Sequence, residues 1–286
     1  MIMRLRRSIS VFPALVCLIV CGRNHAAETP APHPPPARYV IGLSPFLDNT
    51  VKDQVYRRII SFLIEDVPLN SSLRLYDAYH LQTITQVEIP NVRAFRSAKT
   101  RANQFKEQIG RLKEFLAAPR EGRTTNNFKL DQAVRFPQFL DFVSEHAPGG
   151  GQAVVVIVLG SPLYLDPKEP AFSMVDGYFP SDGHLQATRE KSVYGIKNRP
   201  KGLDDLVVHF GYFGDPWVSE VHREKIARFW ELHVQKQGAR FATFSGDLTT
   251  VFNAVGVDPT RSRAREPRAE IDPTQTKLEM LRITRN

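Results

Sequence analysis

The stretch Gln152–Leu159, QAVVVIVL, decides the fold. From Ala153 onward it is an unbroken run of apolar and mostly β-branched residues. A strand with one face in water would alternate apolar and polar positions, so an unalternating run of this length predicts a strand covered on both faces. Upstream, Phe136–His146 predicts a helix with Pro137 in its first turn, stopped by Pro148-Gly149-Gly150-Gly151. Downstream, Leu206–Phe213 (LVVHFGYF) repeats the strand pattern. His222–Gln237 then steps Ile226, Phe229, Trp230 and His233 along one helical face, Gly238 ends it, Ala239–Phe244 is a last strand and Asp247–Val255 a closing helix.

The same alternation runs back toward the N-terminus. Arg38–Phe46 (RYVIGLSPF) reads as a strand ending in a turn. Lys52–Asp66 carries Val55, Ile59 and Leu63 at every fourth position, with Val67 continuing the stripe, and is preceded by the capping residues Asp48, Asn49 and Thr50. Leu73–Tyr79 and Gln82–Ile89 are β-rich runs separated by two residues, a pair of antiparallel strands ending at Pro90. Thr100–Ala117 is a second amphipathic helix through Phe105, Ile109, Leu112 and Leu116. The alternation predicts an α/β fold in three layers: an open, mostly parallel sheet with helices on both faces.

Outside this body the composition changes. Arg4, Arg6 and Arg7 precede an apolar run, Ile9–Cys21, followed by the small pair Ala26 and Ala27. The run falls short of the roughly 20 residues that cross a bilayer and has the order of a secretory signal. The expectation is export to a periplasmic or extracellular location, with residues 1–26 as signal, a cut after Ala26 or Ala27, and retention as an anchor as the alternative. Val20 directly before Cys21 departs from a lipid-attachment motif. Both cysteines lie in that segment, so the rest of the chain has neither disulfide nor thiolate chemistry. The segment's four arginines account for half of the formal net charge of +8. The remaining mild excess lacks the aromatic interleaving of single-strand binders, so nucleic acid is not an expected partner.

Residues 27–37 are rich in Pro, including Pro34, Pro35 and Pro36, and predict an extended spacer. The body spans 38–256, with an insert at 163–203 that is rich in Pro, Gly and aromatics, including Phe172, Tyr178, Phe179 and Tyr194. Tyr178–Tyr194 is expected to form a hairpin turning at Ser181-Asp182-Gly183. The insert is either a partner-binding flap or a lid over apolar sheet. The basic tail, 257–286, is expected to be mostly disordered, with Thr276–Arg282 a short docking helix.

The element order, the early antiparallel pair and the last unit (KIARFWELHVQKQGARFATFSGDLTTVFNAV) resemble a von Willebrand factor A domain. In that family the last unit is a helix, a glycine-marked turn, a short strand and a closing helix that follows an acidic residue and Leu; Gly238, Phe241, Asp247, Leu248 and Phe252 take those places. The resemblance covers Arg38–Gly256 and implies a divalent-ion site made by a D-x-S-x-S motif after the first strand, a Thr from a middle loop and an Asp after the fourth strand. The first motif is here Gly42, Ser44 and Phe46, of which only Ser44 matches; Gly160-Ser161-Pro162 stands where the Asp is expected, and Thr100 is the candidate for the middle loop. A site without carboxylates lacks the charge that holds Mg²⁺, so no metal and no cofactor is expected. Asp48 and Asp166 are the acidic residues nearest in sequence to replace the lost ligands.

Gly42-Leu43-Ser44-Pro45 also has part of a nucleophile elbow, but Pro45 lacks the amide that would serve an oxyanion, and Phe46 replaces the second glycine. Of the histidines, His80, His146, His184 and His209 fall at or near element ends, and each has an ordinary packing or helix-end reading. The expectation is a non-enzymatic module that binds another protein or a cell-envelope component without a bridging metal. Its contact residues would be Ser44, Asp48, Ser161, Tyr178, Phe179 and His184. A Mg²⁺-dependent adhesion module and a serine hydrolase using Ser44 are the alternatives, and peripheral membrane association is compatible with the charge.

Overall fold

A computed structural model describes residues 36–119, 124–125, 128–146, 152–196, 203, 206–255 and 270–284. The signal, most of the Pro-rich spacer and the Pro148–Gly151 stop lie outside the described residues. Ten strands and seven helices follow in the order β1 (Arg38–Leu43), α1 (Asn49–Ser61), β2 (Ser71–Asp77), β3 (Gln82–Ile89), α2 (Ala98–Gln104), α3 (Lys106–Ala117), β4 (Thr124–Thr125), β5 (Phe128–Lys129), α4 (Phe136–His146), β6 (Val154–Leu159), β7 (Tyr178–Pro180), α5 (Gly183–Gln186), β8 (Leu206–Gly211), α6 (Glu220–Gln235), β9 (Arg240–Ser245), α7 (Leu248–Val255) and β10 (Met280–Arg282) among those residues.

Six strands form the central sheet in the order β3-β2-β1-β6-β8-β9. All neighbours are parallel except β2 and β3. The fold is thus the three-layer α/β arrangement that the apolar runs predict. Successive side chains of β6 enter opposite cores: Val154, Val156 and Val158 join one cluster, and Val155, Ile157 and Leu159 the other. The first cluster is covered by Phe139, Leu140 and Val143 of α4 and by Ile226, Phe229 and Trp230 of α6. The second is covered by Val55 and Ile59 of α1, Leu112 and Leu116 of α3, and Val251 and Val255 of α7. A fully buried side chain of this size stabilises by about 1.5–3 kcal/mol, which makes the two-sided run from 154 to 159 the centre of the molecule's stability. Gly42 in β1 leaves room for α4, since a Cβ there would stand 2.5 Å from the Phe139 ring.

Three elements depart from the sequence expectation. The helix expected over 100–117 is two helices, α2 and α3, because Phe105 leaves helical geometry (ψ 17°) while its buried ring meets that of Phe95 at 5.7 Å. The insert makes no hairpin at Ser181-Asp182-Gly183. Asp182 has right-handed helical backbone and starts α5, whereas a two-residue Asp-Gly turn needs φ > 0. The tail does dock, as a strand and not as a helix: β10 pairs antiparallel with β7, Leu281 opposite Phe179. Much of the insert is lid, since Tyr164, Met174 and Tyr194 are fully enclosed in the α4/α6 core. No helix among the described residues is long and apolar enough to cross a membrane.

Candidate functional site

The chain leaves β1 toward one side of the sheet and β6 toward the other, so the gap between their carboxyl ends is the topological switch point, where open α/β sheets bind ligands. Ser44 and Ser161 stand there. The backbone N–H of Ser44 donates to the Leu159 carbonyl at 2.9 Å, and its hydroxyl, fully enclosed, accepts the Phe46 N–H at 3.1 Å. Ser161 accepts the Leu163 N–H on its hydroxyl at 3.2 Å. Both hydroxyls therefore hold their own turns. Between them lies Gln132, in left-handed backbone (φ 58°). Its N–H donates to the Phe46 carbonyl at 3.2 Å, and its carbonyl accepts the Ser161 N–H at 2.6 Å. Gln132 thus ties the loop after β1 to the loop after β6.

The space that the resemblance assigns to metal ligands is filled with side chains of another kind. Phe46 packs edge-on to Tyr79 with ring centres 5.0 Å apart, and Leu130, Ala133 and Leu165 complete a buried apolar cluster around them. A Cβ at Gly160, the first residue of the Gly160-Ser161-Pro162 turn in which the resemblance implies an acidic residue, would lie 2.5 Å from Val134 and 2.8 Å from the Gln132 carbonyl oxygen. The surrounding residues do not fit a dication. Asp166 is enclosed and committed to Arg135, Nε to Oδ2 at 2.7 Å, and to the Lys168 N–H at 3.0 Å. Asp48 caps α1 with its carbonyl, which accepts the Lys52 N–H at 2.8 Å. Among the described residues no group of three or more His, Cys, Asp or Glu side chains is placed to hold a metal. Thr100 is not in the middle loop. The adjacent Arg101 binds the Leu63, Ile64 and Val67 carbonyls just past the end of α1, which puts Thr100 at the opposite end of the sheet.

Beside this plug is a polar pair that sequence reasoning missed. Asp77, the last residue of β2, is buried and accepts the N–H groups of Tyr79 and His80 on one oxygen, 2.9 Å each. Its other oxygen meets His80 Nδ1 at 2.8 Å. The His80 side chain is 46% exposed, so Asp77 fixes the ring while Nε2 remains available to an outside donor or acceptor. The D-x-x-H spacing at a strand end was the available signal. Arg135 lies over the Tyr79 ring at 4.9 Å. The Tyr79 hydroxyl is pushed above its usual range, first by burial and then by Asp166, against the opposing charge of Arg135.

The remaining candidate residues gather elsewhere. Tyr178 and Phe179 belong to β7, and the Tyr178 ring carries the Arg282 guanidinium at 5.0 Å. His184 is enclosed, with Nδ1 2.8 Å from the Ser192 hydroxyl and Nε2 3.3 Å from the Glu279 carbonyl; burial holds its pKa below the usual imidazole value. Direct partner contact by Ser44 and His184 is corrected by their burial: each positions a loop. Two open grooves lie among the described residues, one of about 500 Å³ beside Arg38, Arg74 and His146 where the strands begin, and one of about 460 Å³ between α1 and α3, lined by Asn49, Lys52, Tyr56 and Lys113. The chain matches no protein-family model and no curated protein.

Proposed function

We propose that this chain is an exported, von Willebrand factor A-like module that binds another protein or cell-envelope component through the loops at the carboxyl ends of β1, β2 and β6, without a bridging metal and without catalysis. The observation that carries the reading is the filled switch point: Phe46, Tyr79 and Leu165 occupy it, and Gln132 locks its two loops. Preorganised loops lose little freedom on association, which is where a binding surface gains affinity. The rim over the plug offers Asp48, His80 held by Asp77, and Ser161, a polar margin around an apolar floor. The β2–β3 pair and the α6-β9-α7 unit support the family resemblance, since they are the features on which it rests. The basic, apolar, small-residue order of residues 1–27 supports export.

The test is affinity capture by the full-length chain from the exported fraction of its source cells, with EDTA or Mg²⁺, beside the Asp48→Arg/His80→Glu variant. A partner retained in EDTA and lost with the variant is expected. Retention that requires Mg²⁺, or that ignores the variant, would sink the reading.

A further inference from the structure

The insert, together with Arg228 of α6, spends its polar groups on the backbone of residues 270–283. Arg228 Nη2 donates to the Glu270 carbonyl at 2.6 Å, and Asp182 accepts the Asp272 N–H at 2.7 Å. The Ser181 hydroxyl donates to the Lys277 carbonyl at 2.6 Å, and the Ser181 N–H to the Glu279 carbonyl at 2.9 Å. His184 Nε2 reaches the same Glu279 oxygen, and Ile283 donates to the Gly177 carbonyl at 2.9 Å. Two glycines shape the seat for a bare backbone. A Cβ at Gly177 would stand 2.2 Å from the Ile283 oxygen, and one at Gly183 2.2 Å from the Lys277 oxygen.

Most side chains of the segment face water, Thr274, Lys277, Leu278, Glu279 and Arg282 among them. Ile271 and Met280 alone pack against the core cluster. Three further side-chain contacts select the sequence: Gln275 Oε1 accepts the Asp182 N–H at 3.1 Å, Arg282 Nε donates to the Asp176 carbonyl at 3.3 Å, and the Arg282 guanidinium sits over Tyr178. This is strand addition, in which main-chain bonds supply affinity and a few side chains supply specificity. Such a seat is indifferent to which copy the strand comes from. The segment that matches its side-chain contacts is the one in this chain. Residues 256–269 join it to α7, and at full extension a stretch of that length spans on the order of 45 Å.

We propose that the insert is a strand-acceptor site, filled here by the chain's own residues 270–283, which takes the same segment from a second copy and so forms a dimer by reciprocal strand exchange. The symmetry is closed, each copy giving and receiving one strand. This inference is independent of the switch-point surface.

The test mixes two full-length chains, both carrying Cys17→Ser and Cys21→Ser, one with Phe179→Cys and the other with Leu281→Cys. These two positions face each other across β7 and β10, so a disulfide between the two chains requires the strand of one to sit in the insert of the other. A cross-linked pair is expected after incubation at high protein concentration, lost when an excess of synthetic peptide covering 270–283 is present and kept with a scrambled peptide. Light scattering on the chain without added cysteines is expected to show twice the monomer mass at the same concentration, and monomer for Leu281→Pro. Monomer mass at every concentration for the natural sequence, or equal competition by the scrambled peptide, would overturn the assignment to a second copy.

Discussion

Arg228 grips both carboxylate oxygens of Asp182, at 2.7 and 2.6 Å, while Asp182 Oδ2 also accepts the Asp272 amide at 2.7 Å. The pair therefore joins α6, the insert and the tail at one buried carboxylate. Burial alone would raise the Asp182 carboxyl, but Arg228 and the Asp272 N–H outweigh it and hold the pKa below the usual range. Arg228→Met leaves that charge enclosed without its partner. The expected loss is about 2–3 kcal/mol, below the usual cost of breaking a buried pair because the Arg228 side chain is one-third exposed. The Asp182→Leu/Arg228→Met double variant should lose less than Arg228→Met alone. Urea melts of the single and double variants measure the difference, and additive losses would contradict the account.

Gly160→Asp restores the acidic residue that the family resemblance places after the fourth strand, yet no gain of metal binding is expected. Its Cβ would collide with Val134 and with the Gln132 carbonyl that bonds Ser161. Overpacking of this kind costs about 1–3 kcal/mol. Calorimetric titration with Mg²⁺ and a thermal melt decide: the variant should melt lower and give no heat of binding. A melting temperature that rises with Mg²⁺ would show that the plug yields to a dication.

Arg101 is the clearest case of a structural residue hidden in a polar letter. It is nearly enclosed, and one guanidinium nitrogen takes three carbonyls past the end of α1 while Nε takes that of Phe95 at 2.6 Å. Arg101→Ala orphans those carbonyls and should cost about 2–3 kcal/mol. Arg101→Lys should recover only part of it, because an ammonium cannot reproduce the planar fork. Chemical denaturation of the two variants checks the order, and full rescue by Lys would refute the role given to the fork.

What the sequence discloses and what it hides divides along periodicity. Gln152–Leu159 and Phe136–His146 were legible because burial on both faces, or on one helical face, writes itself into residue spacing. The β2–β3 pair was legible for the same reason. The Asp77–His80 pair and the Gln132 tie were not, because each depends on where a loop places one backbone carbonyl or one ring. The tail misled for a physical reason: most of residues 270–283 face water, so composition resembles a disordered segment, while the bonds that hold it are made by backbone that any sequence possesses. The departures from the metal-site motif that the resemblance implies are legible one by one, but that Phe46 and Tyr79 pack against each other there follows only from packing.

His209 supplies a pH dependence with a definite sign. It lies buried in β8, Nδ1 3.0 Å from the Thr243 hydroxyl, and burial, reinforced by the charge of Arg240, depresses its pKa to about 3. An unfolded imidazole titrates near 6.5, so below that pH the unfolded chain takes up a proton that the folded chain refuses. The stabilising contribution is complete above about pH 6.5 and is lost as pH falls toward the folded value, with a slope of at most about 1.4 kcal/mol per pH unit for one group. His184 and His222, also held low chiefly by burial, act in the same direction. His209→Gln keeps a polar group near Thr243 but does not titrate. Urea melts from about pH 7 to pH 4.5 should therefore show a shallower fall for the variant than for the natural chain, even if the variant starts from lower stability. Parallel curves would mean that His209 accepts its proton in the folded state, and the acid sensitivity would then have to come from His184 and His222.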